Sequence, residues 1–416
     1  MPESRGRAIA RKLAPWFDAE IAVLYGRPAA WRPDSVLMGC PIWGPAFIDR
    51  FAKWCLPTVG ANANIEALAG RCRLMIYAPR EARASLFRLT RPLRGAGVEL
   101  VLREIPDALL AEMAPSPDAT PAERAEKYAT QFCLIGCIQN LLVHHAGRDG
   151  MGFHMLMPDH VYAKDYFANM RRLARDHEAI AQAGVNVDLE AAAPALEQYR
   201  DADSKVLAIP DRALGDIAAA HLHAESLALF MNHGDFPERL PIGPRLIWQS
   251  PEALHVYSCF NNPAWLSPAL CATAPTVLTD TMDCVLPDFV SGDAFYVPTP
   301  ADGMAFVEVS PPGKPVPGRW VDAASYCSWW WKRNSNTRDY HPYFRRPTLM
   351  ATSRYAADMA GKPLIEPDDV ERQFAQVMDM LEDNGSLKAT EVERAWARYQ
   401  RVAPGAPASV WPRAAE

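Results

Sequence analysis

"GFHMLMPDHVYAKDYFANMRRLA", Gly152 to Ala174, is the stretch on which the fold turns. The apolar run Gly152 to Met157 has the length of a buried strand, and it stops abruptly at Pro158–Asp159. Behind it, "HVYAKDYFANMRRLA" reads as a helix with an aromatic-rich first turn. A carboxylate therefore stands where a strand leaves the core. Two readings compete. Asp159 either caps the helix by accepting its first backbone N–H groups, or it holds something charged, a phosphorylated or metal-bound substrate.

Upstream, "TPAE" at Thr120 to Glu123 is a capping box that opens a long helix to about His145. Before that, apolar runs and helical patterns alternate. "SVLMGCPIWG" is the first strand, ending near Gly44. "PAFIDRFAKWCLPTV" places Phe47, Phe51, Trp54 and Cys55 at helical spacing, with Pro57 as its expected end. "CRLMIYA", Cys72 to Ala78, is a second strand; "ASLFRLTRPLRGAG" is helical, and "VELVLREI" is a third strand. Such alternation predicts an α/β fold, a mostly parallel sheet with helices on both faces. Past residue 180 come a short strand and helices, then "RLIWQSPEALHVYSCF" as two strands joined at Ser250–Glu252. "SPPGKPVPG" reads as a linker, and the tail carries two amphipathic helices, the second opened by Thr390 and Glu393.

A chain of 416 residues with 49% apolar and 22% charged residues is an ordinary globular protein able to bury a large core. Its net charge of −6 gives no general attraction to nucleic acid or anionic lipid. The N-terminus lacks a secretory apolar stretch, and no run approaches the roughly 20 apolar residues of a membrane span. The sequence reads as cytoplasmic, with no transmembrane segment and no nucleic-acid partner. Nine cysteines, an odd number without a CxxC pair, indicate reduced thiols, Cys133 and Cys137 packing on one helix face.

Familiar chemistry is missing. No GxGxxG follows a strand, and there is no GxxxxGK[ST], GxSxG, HExxH or HxE…PCxxC. The order of what remains is more telling. One strand runs into "PIWG" and a second into "IYAPRE"; "PDHVYAKDYF" follows a later strand, and "ALHVYSCFNNPAWLSP" comes later still. Over roughly residues 35 to 310 this order resembles the nucleotide-sugar glycosyltransferases of the GT-A type, in particular a poorly characterised bacterial group. The matching positions are Trp43–Gly44, Tyr77, Pro158 to Tyr162, His255, Asn262–Pro263 and Thr281 to Asp283.

The resemblance implies a GT-A-like, Rossmann-like sheet domain at 31–312 that binds the nucleotide sugar. An N-terminal helical arm at 1–30 and a mainly helical C-terminal accessory region at 313–416 complete the chain. The implied activity is transfer of a sugar from a nucleotide-sugar donor to a glycan, lipid-linked or protein acceptor. Backbone near Trp43 and Gly44 would take the nucleotide, with Tyr77 beside the base. Asp159 would hold the diphosphate through Mn or Mg, and His255 or Asn262 would approach the same ion. Asp283 would be the catalytic base that deprotonates an acceptor hydroxyl. Two departures stand against this: the family's Asp-x-Asp is reduced to a single acid, and a position often histidine is Phe260 here. They support the alternative of a catalytically degenerate GT-A-like binding or scaffold protein.

Other residues have structural readings. His144–His145 closes a helix, where partial positive charge suits the dipole. His221 and His223 lie on a helix at a spacing that points them apart. The tryptophans Trp329 to Trp331 pack the C-terminal region against the main domain, or face sugar or lipid beside Lys332, Arg333, Arg345 and Arg346.

Overall fold

The computed structural model describes residues 5–27, 29, 31–114, 118–231, 236–237, 245–250, 252–258, 261–276, 278, 281, 285–286, 289–290, 294–313, 320–321, 346–353, 372–373 and 375–376. Helix α1 (Arg5–Tyr25) buries Ile9, Leu13 and Phe17, one residue per turn on one face. Strand β1 (Val36–Pro41) leads into α2 (Pro45–Arg50), a π-helical segment (Phe51–Cys55) and α3 (Leu56–Val59). The helical path thus continues past Pro57, whose missing N–H falls where the π segment has already broken the regular ladder. Next come α4 (Asn62–Leu68), β2 (Cys72–Ala78), α5 (Arg83–Leu89), α6 (Arg91–Gly95), β3 (Glu99–Glu104) and α7 (Asp107–Met113). Helix α8 (Pro121–Arg148) starts with the expected capping box: Thr120 Oγ1 accepts from the Glu123 N–H at 3.3 Å, and the Thr120 N–H donates to Glu123 Oε2 at 2.7 Å.

After β4 (Gly152–Met155) the expected helix does not follow. Residues His160–Tyr162 form a strand, β5, and α9 (Tyr166–Leu173) starts only at Tyr166. The chain continues through β6 (Ala179–Gln182), β7 (Val185–Asp188), α10 (Leu189–Glu197), α11 (Asp211–Ala220) and α12 (Ala224–Leu227). His221 and His223 are therefore not on a helix; they end α11 and cap α12, His223 accepting from the Glu225 N–H at 3.3 Å. The remaining elements are β8 (Phe236–Pro237), β9 (Arg245–Gln249), β10 (Ala253–Ser258), β11 (Asn262–Leu266), α13 (Pro268–Thr273), β12 (Phe295–Tyr296), β13 (Phe306–Ser310), β14 (Trp320–Val321) and β15 (Thr348–Ala351). Nearly all of 313–416 lies outside the described residues, including the tail helices and Trp329 to Trp331.

The main sheet has seven strands in the order β12-β6-β11-β4-β1-β2-β3. All run the same way except β11, which is antiparallel to both β4 and β6. Strand β1 pairs in parallel with β2 on one side and β4 on the other, Val36 facing both Cys72 and Gly152. The chain thus moves outward from β1 to β3, then returns through α8 to the far side of β1. Each face is covered. One core joins Leu37, Tyr77 and Phe153 to α1 and α8; the other joins Met38, Cys40 and Ile76 to Phe51, Leu86 and Phe167. Gly147 sets one of these contacts, since a Cβ there would lie 2.5 Å from the Cys271 carbonyl oxygen of α13. A third core lies between two small sheets, β5-β13-β7 and β15-β10-β9, and the helices α10 and α11. The first sheet matters for the site, because β13 pairs with the segment that leaves β4.

Candidate functional site

In an open α/β sheet, ligands bind beyond the carboxyl ends of the strands where the strand order reverses. Here that point lies between β1 and β4. Ile42, Trp43 and Gly44 follow the end of β1, and Met157, Pro158 and Asp159 follow the end of β4. The structure therefore brings the Trp43–Gly44 and Asp159 segments to one edge of the sheet. Gly44 has φ +78°, and a Cβ there would meet nothing within 4 Å, so open space stands before its backbone. Trp43 is half-buried against the core beneath α8.

Asp159 sits in the turn between β4 and β5 and is half-buried. It caps no helix, since β5 follows it. Its carbonyl accepts from the Val309 N–H at 2.8 Å, which ties the turn to β13. Burial, then repulsion from Glu308, lifts its carboxyl from 3.8 to about 6, against attraction from Arg50 and its own backbone N–H. Glu308 lies on β13 directly opposite His160. Arg50 is buried and reaches the Val309 carbonyl at 3.5 Å, while stacking over the Phe47 ring at 4.1 Å. An acid at the mouth of the sheet thus has a second acid and a guanidinium around it, with no direct ion pair to Asp159 among the described residues.

Beneath this turn lies a buried chain of polar rings. His154 Nδ1 is 2.7 Å from the Ala264 carbonyl, and its Nε2 is 3.5 Å from Tyr162 Oη. Tyr162 Oη is in turn 3.0 Å from His160 Nδ1. Burial pushes His154 down to about 4 and His160 to about 3, the latter helped by the charge of Arg245, so both are neutral at pH 7. Phe306 packs against His160, ring centroids 4.8 Å apart.

The other expected site residues lie apart. Tyr77 is fully buried on the α1 side of the sheet, its hydroxyl donating to Glu20 Oε2 at 3.0 Å and lying 3.4 Å from His145 Nε2. Arg103 also donates to that Glu20 oxygen, at 3.1 Å through Nε. His145 is buried and pushed down to about 3, chiefly by burial, so it is a neutral member of this network rather than a charged partner of the helix dipole. His255 is on β10 in a separate sheet, 3.0 Å from Ser250 Oγ and 4.4 Å from the Trp248 ring centroid. Burial lowers it to about 4. Asn262 opens β11 opposite Gln182. Asp283 and Phe260 lie outside the described residues. Among the described residues no group of three or more His, Cys, Asp or Glu converges to hold a metal ion.

Sequence reasoning passed over Glu308 and Arg50. Glu308 sits in "FVEVS", where a single acid on an alternating strand was a signal, but its partner depends on a pairing between distant segments. Gln182 was also missed. It is 1% exposed at the carboxyl end of β6; Nε2 donates to Tyr166 Oη at 2.6 Å, while Oε1 is buried with no hydrogen bond. Such an orphan acceptor costs about 1–3 kcal/mol.

No protein-family model and no curated protein matches the chain. Among solved structures, S. aureus TarS residues 1–349 aligns with 89% of this chain and 81% of that one, at 8% identity and a TM-score of 0.28. The longer S. aureus TarS structure gives the same identity and score, and this chain spans about half of its length (49%). Likeness at this level does not bear on function. No described helix is long and apolar enough to cross a membrane.

Proposed function

We propose that the chain is a GT-A-like glycosyltransferase whose nucleotide-sugar donor binds at the carboxyl edge between β1 and β4. The observation that carries this reading is Asp159. It stands at the point of strand reversal, is not used as a helix cap, and keeps a carboxyl lifted to about 6 by burial and by Glu308. An acid held in that state favours a cationic or proton-donating ligand. On the opposite lip no atom lies within 4 Å of a Cβ placed on Gly44, so its backbone is open to a ligand.

The acids fit a hard divalent cation. Mg or Mn takes one or two carboxylates and completes its shell with phosphate oxygens and water, and Asp159 would supply one, with Glu308 near enough to repel its charge. A bound ion there would offset diphosphate charge on the leaving group. Asp159 is the ligand this reading requires, with Glu308 beside it; His255 is committed to Ser250 in another sheet and is a weaker candidate. Asp283 remains the proposed base toward a glycan, lipid-linked or protein acceptor.

A binding or scaffold protein is the second reading, favoured by the missing metal-ligand cluster among the described residues and by the sealed Tyr77. Thermal-shift titration with UDP, GDP and CMP, with and without Mn²⁺, separates the two, because a ligand of the native state raises its apparent stability. The transferase reading expects a Mn²⁺-dependent shift in the wild type that is lost in Asp159→Asn, followed by sugar transfer in product analysis. Equal shifts in both proteins would remove Asp159 from the site, and no shift with any nucleotide would favour the scaffold.

A further inference from the structure

The amino edge of the main sheet, opposite the edge that carries Asp159, holds an exposed surface of another kind. β1, β2, β4 and β6 all start there. Val23, Tyr25 and Trp31 lie together before β1, and they are 44%, 59% and 69% exposed, unusual for side chains of this size. Trp31 rests on the turn between α8 and β4: a Cβ at Gly150 would strike its ring, and the Arg32 N–H donates to the Asp149 carbonyl at 2.8 Å. Tyr25 ends α1 and faces Arg148, whose guanidinium carbon is 5.8 Å from the ring centroid. The two rings thus flank the end of α8 and project outward.

The charges around them are positive. Arg27 follows Tyr25 in the chain, and Arg71, Arg171 and Arg175 cluster beside Asp34, whose carbonyl accepts from Arg171 at 3.2 Å. Burial, then repulsion from Arg71 and Arg175, holds Arg171 below its ordinary value against the attraction of Asp34. Arg32 and Arg73 are paired with Glu99, and Arg73 also with Asp149. Arg27, Arg71, Arg148, Arg171 and Arg175 make no such pair among the described residues. Asp34, Asp176 and Glu178 on the same turns leave this edge positive, although the whole chain carries −6. Unpaired arginines around protruding Trp and Tyr suit an anionic membrane surface, where the guanidiniums meet lipid phosphates and the rings enter the headgroup layer. A second copy of the chain fits poorly, because a two-fold contact would set arginines against arginines. Single-stranded nucleic acid would use the rings and cations, but not Val23 and its exposed neighbour Ala22.

We propose that this amino edge docks the protein onto an anionic lipid bilayer, with Trp31 and Tyr25 as interfacial anchors and the five unpaired arginines as phosphate contacts. The inference does not rest on the glycosyl-transfer reading. The six residues of β1, about 20 Å, separate the two edges, so a docked chain keeps the Asp159 edge toward solution. Co-sedimentation tests it with vesicles of phosphatidylcholine alone and of phosphatidylcholine and phosphatidylglycerol in equal parts. The proteins are the wild type, Trp31→Ala, Tyr25→Ala and the triple variant Arg27→Glu/Arg71→Glu/Arg175→Glu, each checked for a native unfolding transition. The wild type should bind the anionic vesicles only, and salt at about 0.5 M should release it. Each ring variant should bind about five-fold more weakly, and the triple variant at least about a hundredfold more weakly. If Trp31→Ala does not fold, Tyr25→Ala and the triple variant decide, since all their changes fall on exposed residues. A nucleotide thermal shift, read on the same variants, reports on the Asp159 edge and should not change. No binding to anionic vesicles, equal binding to both kinds, or undiminished binding of the triple variant or of both ring variants would each overturn the proposal. Tighter binding of a poly-U oligonucleotide than of vesicles would give the surface to nucleic acid instead. Self-association abolished by Trp31→Ala would give it to a second copy.

Discussion

Replacing Asp159 by asparagine should make the ligand-free protein more stable. In the folded state the carboxyl is lifted from 3.8 to about 6, first by burial and then by Glu308. A raised carboxyl binds its proton more tightly when folded, so it favours folding below pH 3.8, and that contribution is lost as pH rises through 6. At about 1.4 kcal/mol per tenfold change in proton affinity, ionised Asp159 costs up to about 3 kcal/mol at pH 7.5. Asparagine keeps the size and removes the charge. Because the residue is partly exposed and solvent screens part of the effect, a gain of about 1–3 kcal/mol is expected. At pH 5 the gain should fall to about half, since the folded wild type is by then mostly protonated. Glu308→Gln should reproduce part of it in the wild type and add little to the asparagine variant, the signature of coupled neighbours. Urea unfolding at pH 7.5 and pH 5 measures all three. An asparagine variant less stable than wild type at pH 7.5 would mean that the carboxylate is a structural anchor, and the argument that it awaits a ligand would fail.

Acid should act on the whole protein in the opposite sense. His145, His154 and His160 are held near 3, 4 and 3, so the stability they contribute is full above about pH 6.5 and is lost as pH falls through that window. Each removes about 1.4 kcal/mol per pH unit, about 6 kcal/mol together at pH 5, which outweighs the smaller gain from protonating Asp159. Melting temperature measured from pH 7 to pH 5 should therefore drop, and a flat profile would show that these rings are not buried neutral. Gly147→Ala should cost at least 2 kcal/mol or so, since its Cβ would strike a backbone oxygen of Cys271 that cannot swing aside; denaturant titration reads this directly. Tyr77→Phe should cost about 1 kcal/mol by removing a hydrogen bond to Glu20. It should leave nucleotide shifts unchanged if the ring stays under α1, whereas a lost shift would return Tyr77 to the base site.

The sheet was legible where the signals are local. Strands buried on both faces read as continuous apolar runs, as in "CRLMIYA", and the Thr120–Glu123 box announces α8 four residues at a time. Long-range pairing was not legible. "HVYAKDYF" carries aromatics at spacings that suit a helix, but Val161 and Tyr162 are drawn into β5 by partners on β13 that lie far along the chain. The same pairing hides Glu308 from any local reading of Asp159. Tyr77 shows the other limit: its place at a strand end was readable, yet side-chain parity sends it with Leu37 toward α1, into the core rather than the crevice. Asp283 lies outside the described residues, so its part in the site rests on the resemblance alone.

What separates an enzyme from a retired scaffold here is whether an unfavourable charge has a use. A chain that had lost its ligand would gain stability from replacing Asp159 with a neutral residue, because burial and Glu308 outweigh the attraction of Arg50 and the backbone N–H, and the tie to β13 runs through backbone groups. The orphaned Gln182 oxygen poses the same question on the same edge of the sheet. Two destabilised polar groups at the carboxyl ends of parallel strands are the pattern of a site that trades folding free energy for binding. A scaffold leaves both without a use, whereas the proposed donor site gives the charge at Asp159 one. A nucleotide with Mn²⁺ should accordingly raise the stability of the wild type more than that of Asp159→Asn.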